Sequence, residues 1–71
     1  MKKYVVGLYD NFNVELTLSI IPATTELIAV EIAFDMHDIE FPHFKTLDEA
    51  LDFAVNCELV VSVLEINADM A

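Results

Sequence analysis

The sequence predicts an α+β domain in the order ββααβ, with a three-stranded sheet of order 2-1-3 and both helices on one face. Three observations predict it. The chain opens on a β-branched and aromatic run, a strict apolar–polar alternation follows, and two threonine-led helix starts precede a second β-branched run.

Tyr4 to Tyr9 is apolar at both parities, which suits a strand covered on both faces. Asp10-Asn11-Phe12-Asn13 has the side chains of a turn. Val14, Leu16, Leu18 and Ile20 then alternate with Glu15, Thr17 and Ser19, so the apolar side chains share one face and the polar ones the other. So short a connection is too brief for a parallel crossover, and the two strands pair as a hairpin. Pro22 is expected to stop the second strand.

Thr24 or Thr25 caps a helix running to about Met36, with Glu26 at its positive dipole end. At 100° per residue Leu27, Val30 and Phe34 form one ridge, Ile28 and Ile32 lie well round the cylinder, and Glu31 and Asp35 mark the wet side. So apolar a helix has more to bury than one sheet face covers. The stretch from His37 to Lys45 contains Pro42 and reads as a connection. Thr46-Leu47-Asp48-Glu49 fits a capping box, in which the threonine accepts the Glu49 N–H and Glu49 reaches back. Leu47, Ala50, Leu51, Ala54 and Val55, with Cys57 near them, form the core side of this second helix; Asp48, Glu49, Asp52 and Asn56 form the outer side. Leu59 to Ile66 is the last strand, and Asn67 to Ala71 is expected to fray. If the helices run up and down, the last strand lies parallel to the first, beside it, leaving the doubly apolar strand in the centre. One sheet face and the third strand's edge, with Val60, Leu64 and Ile66, then stay bare, so a homodimer through strand edges or the open face is expected.

Composition narrows the function classes. The 71 residues carry 13 Asp+Glu against 3 Lys+Arg, a net charge of −10, yet 56% are hydrophobic. Charge that high with few apolar residues would mean disorder; here the apolar content exceeds the globular norm of roughly 45–50%, so a packed core forms. The length allows one small domain, residues 1–71, and a chain of this size buries only about 60% of its unfolded surface, which makes oligomerisation the expected support. A lone Cys57 cannot form an internal disulfide, which favours a reducing cytoplasm. The longest charge-free run, Leu16 to Thr25, is far short of a membrane span. Gly7 is the single glycine, and this excludes the glycine-rich loops that cradle nucleotide phosphates.

His37, Asp38, Glu40 and His43, with Asp35 upstream, are metal-ligand types, but their spacing matches no standard motif, and no metal or cofactor is assigned. Nucleophilic catalysis needs a positioned base and an electrophilic clamp; the chain has no arginine and only Lys45 beyond its first residues, so no enzyme is expected. Cys57 is expected as a small buried hydrophobe, and Phe34, Met36, Phe41 and Phe44 as packing around the interhelix connection.

Charge is the remaining signal. So acidic a field repels nucleic acid and anionic membrane surfaces and attracts a basic partner. Glu31 and Asp35 on the first helix, Asp38 and Glu40 on the connection, and Asp48, Glu49 and Asp52 on the second helix form the candidate partner-binding surface. Their spacing by helical geometry, about 5–7 Å, is on the scale of nucleic-acid phosphates, which suggests DNA mimicry. The competing reading gives the acids a solubility role only. Near-absence of lysine favours a field that is used, since mixed charges would keep the chain soluble.

With its opening Met1-Lys2-Lys3-Tyr4-Val5-Val6 leading directly into a strand, its ββααβ order and its acidic helix faces, the chain resembles the small acidic early proteins of tailed bacteriophages, among them anti-restriction and anti-CRISPR proteins. The resemblance implies a class of action and assigns no residue: stoichiometric binding to a host nucleic-acid enzyme or immune complex in the host cytoplasm, sometimes by imitating DNA. The alternative is an oligomerisation or regulatory module that binds through its apolar sheet face and first helix.

Overall fold

The computed structural model describes residues 2–66. The predicted tail, residues 67–71, lies outside the described residues. Strands β1 (Lys2–Asp10) and β2 (Glu15–Ala23) precede helices α1 (Glu26–Met36) and α2 (Leu47–Asn56), and β3 (Leu59–Ile66) completes a three-stranded sheet of order β2-β1-β3. The fold is α+β, with the predicted element order and strand order.

One direction differs from expectation. β3 runs antiparallel to β1, pairing Asp10 with Leu59 and Lys3 with Ile66. The two helices run the same way, because the connection between them itself carries the chain back along the sheet. The two C-caps, His37 and Cys57, line one hollow beside Asp10 and Leu59, so both helices finish at the end of the sheet where β1 finishes. From there β3 can only return.

The hairpin turn is held by Asp10, whose Oδ1 accepts the N–H groups of Phe12 at 2.9 Å and Asn13 at 3.2 Å, while Asn13 Nδ2 donates to Oδ2 at 2.8 Å. The Asn13 side chain foremost, with these backbone donors, holds the Asp10 carboxyl below its ordinary range. Asn11 N–H donates to the Glu58 carbonyl at 3.0 Å and ties this turn to the α2–β3 junction. Val14 leaves the turn with φ 55°, a left-handed conformation that a β-branched side chain resists. Its side chain is 72% exposed, so little packing offsets that strain. Val14→Gly is therefore expected to stabilise by about 0.5–1 kcal/mol, roughly 2–8 °C in Tm for a domain of this size. Thermal unfolding of the two proteins at equal concentration measures it; a lower Tm for the glycine variant would contradict the strain assignment.

Pro22 does not stop β2, which continues to Ala23 with Pro22 opposite Lys3. β2 is an edge strand, where a residue without an N–H is tolerated. Thr25 caps α1, accepting the Ile28 N–H at 3.2 Å, and Thr46 caps α2, accepting that of Glu49 at 3.3 Å. The Glu49 carboxylate reaches one residue further back than a capping box requires, to the Lys45 N–H at 2.8 Å. α1 ends in a Schellman turn: Ile39 N–H donates to the Phe34 carbonyl and Asp38 N–H to that of Asp35, with Asp38 at φ 57°.

Both helices pack on the face of β1 that carries Tyr4, Val6 and Leu8. Ala29 and Ala33 of α1 sit on Tyr4, Val6, Ile21 and Ala23, where their small side chains let helix and sheet approach closely. Val30 and Phe34 turn to Leu8, Ala50, Ala54 and Leu59. Phe34, fully buried, is the hub of an aromatic cluster, with ring centroids 5.6 Å from Phe41, 6.3 Å from Phe44 and 5.8 Å from Phe53. Phe41 and Phe44 pack round the connection as expected, whereas Met36 is exposed and Phe53, which carried no expectation, joins the cluster. Cys57 is a further correction: it is exposed, because α2 ends at Asn56 and the cap residue has left the helix's core side. Val55, assigned to that side, is exposed as well.

Candidate interaction surfaces

Strand parity divides the chain into two unlike surfaces. The helices cover Thr17, Ser19, Ile21 and Ala23 of β2 in part or fully, so the apolar members of its alternation point the other way. Leu16 is 63%, Leu18 67% and Ile20 66% exposed. β3 does the same: Leu59, Val61 and Val63 turn towards the helices, while Val60 and Leu64 are exposed on the open face. The register sets four rows across that face: Pro22–Lys3–Ile66 at one end, then Ile20–Val5–Leu64, Leu18–Gly7–Ser62 and Leu16–Tyr9–Val60. β1 is thus covered on one face only, and its Val5, Gly7 and Tyr9 are half-buried by their neighbours. Water covers a contiguous apolar patch of the kind that marks an interaction site on a small protein.

The acids lie elsewhere. Asp69 is outside the described residues, and none of the other Asp or Glu side chains falls on the open face by strand parity. Lys2 and Glu65, 3.6 Å apart and both well exposed, form an ion pair worth little. Of the predicted partner-binding residues, Asp35, Asp38 and Glu40 come together around one shallow groove floored by Ile39 and Phe41. Glu31 is half-buried one turn before Asp35. Asp48, Glu49 and Asp52 stand exposed on the first turns of α2 and line neither this groove nor the hollow at the end of the sheet. Glu49 is already engaged with the Lys45 N–H. The candidate surface is therefore two acidic patches with Glu49 partly committed to capping.

A further acidic place was not anticipated. A hollow of about 330 Å³ at the end of the sheet is lined by Asp10, Glu15, Thr17, His37 and Cys57 with Leu8, Phe12, Ile39 and Leu59. The C-terminal, negative ends of α1 and α2 meet there, adding to the field of Asp10 and Glu15. The site favours a cation. Ile39 lines both the hollow and the groove, so the acidic surface runs from one to the other. Asp10 and Glu15 are far from the helices in sequence, and only the return of both helices to this end of the sheet joins them to Asp35, Asp38 and Glu40.

Among the described residues no group of three His, Cys, Asp or Glu side chains is placed to hold a metal ion; His37 lines the hollow and His43 does not. No helix among them is long and apolar enough to cross a membrane. In comparisons with known proteins, no family model, no curated protein and no solved structure matches this chain.

Proposed function

We propose that this chain is a non-enzymatic, stoichiometric binding protein whose acidic helical side occupies a basic, nucleic-acid-binding site of another protein. The segregation of charge carries this reading: the acids gather on the helical layer, its connection and the end of the sheet, while the open sheet face holds none. A single-sign field raises the on-rate for a basic surface and repels nucleic acid and anionic membranes. The end hollow and the adjoining groove offer separate seats for lysine or arginine side chains. The phage proteins the chain resembles bind a host nucleic-acid enzyme or immune complex stoichiometrically in the host cytoplasm, sometimes by imitating DNA.

The test is competition. The immobilised chain is exposed to a bacterial lysate and the retained protein is challenged with short duplex DNA. Release by DNA, and tighter retention at low salt, are the expected results. A retained protein that ignores both DNA and salt would overturn the reading. A second reading, an oligomerisation or regulatory module with acids for solubility alone, is favoured by the exposure of Ile28, Ile32 and Met36 on α1, together with the bare face on the opposite side of the sheet. Under it, Ile28→Ser with Ile32→Ser would abolish partner binding and acid replacements would not.

A further inference from the structure

We infer that the open sheet face is the interface of a homodimer, in which two copies stack their sheets face to face about a two-fold axis lying between them. Charge identifies the occupant as a second copy. By strand parity the face carries no Asp or Glu and one charged side chain, Lys3 at its end, so a basic partner finds no complement there. A chain of net charge −10 meets its own copy at least cost through the one surface that leaves both sets of carboxylates outermost, and face-to-face stacking does this.

Size agrees. Strands spaced about 4.8 Å with a rise of about 3.4 Å per residue give this sheet a projected footprint of roughly 400 Å². Leu18 and Leu64 stand proud of it at 67% exposure, which lifts the accessible area to the roughly 500 Å² per partner at which specific interfaces begin. The whole face is needed to reach that area. A Cβ at Gly7 would lie 3.1 Å from Leu18 Cδ2, so Leu18 leans over the glycine and fills the space above it, leaving Ser62 as the low point of the Leu18–Gly7–Ser62 row. Sheets stacked in this way interdigitate such side chains about 10 Å apart. Stacking also gives the sheet the second covered face that its doubly apolar central strand anticipates.

Light scattering of the full chain at tens of micromolar is expected to give twice the 8.0 kDa chain mass. Leu18→Asp with Leu64→Asp is expected to give a monomer with an unchanged far-ultraviolet spectrum, its dimer dissociation constant raised at least a hundredfold. Should that variant fail to fold, isotope-filtered NMR of mixed labelled and unlabelled wild-type chains decides, with Leu18 and Leu64 methyl groups showing contacts to open-face side chains of the other copy. A monomeric wild type, a dimer that survives both aspartates, or intermolecular contacts made through Ile28, Ile32 or the strand edges would overturn the inference. These results are independent of whether the acidic side binds a basic partner.

Discussion

Phe34→Ala is expected to leave the chain without a cooperative thermal transition at 37 °C. Phe34 is fully buried and its ring meets Phe41, Phe44 and Phe53, so one truncation opens a cavity among α1, the connection and α2. Removing a buried phenylalanine costs about 3–5 kcal/mol, and the neighbouring rings lose edge and tilted contacts within that figure. Stability of roughly 0.05–0.15 kcal/mol per residue leaves a domain of this size little more to lose. Phe12→Ala is the control: Phe12 is 80% exposed on the hairpin turn, and its loss should change stability by less than about 0.5 kcal/mol. Circular dichroism on heating, at one protein concentration because association adds to apparent stability, measures both. A well-folded Phe34→Ala with a Tm within a few degrees of wild type would show that the aromatic cluster is not the hub of the core.

That cluster shows how far the sequence could be read. The two threonine caps, the ridge through Val30 and Phe34 and the hairpin were legible because each rests on contacts between residues close in the chain. The direction of β3 was not, because it depends on how far residues 37–46 travel, and a connection without periodicity does not advertise its path. β2 gives the sharper case. Its alternation places Leu16, Leu18 and Ile20 together, but alternation alone does not say which side the helices take. Here Ile21 and Ala23 receive α1, and the polar Thr17 and Ser19 come with them because they share that parity. The same geometry brought Asp10 and Glu15 into the acidic surface and left Cys57 exposed at its margin.

Charge reversal at Glu40, Asp48 and Asp52 together is expected to weaken binding of the captured partner at least a hundredfold, roughly 2.8 kcal/mol, at low salt. These three are exposed, and none makes a side-chain hydrogen bond among the described residues. Glu49 is left in place because its carboxylate accepts the Lys45 N–H, and reversing it would loosen the start of α2 and confuse a folding defect with a binding one. Lysine at each position takes the net charge from −10 to −4, each replacement adding two positive charges, so the long-range field falls along with the local contacts. The loss should appear mainly in the association rate and shrink as salt rises, since salt already screens the wild-type attraction. An unchanged affinity would take Glu40, Asp48 and Asp52 out of the contact.

The central claim is that the acidic and apolar surfaces are separate and do separate work. Light scattering of each variant, alone and mixed with the captured partner, tests it most directly. Glu40→Lys with Asp48→Lys and Asp52→Lys should remain a dimer and fail to join the partner, while Leu18→Asp with Leu64→Asp should be a monomer that still joins it. Loss of both properties in either correctly folded variant would contradict the division.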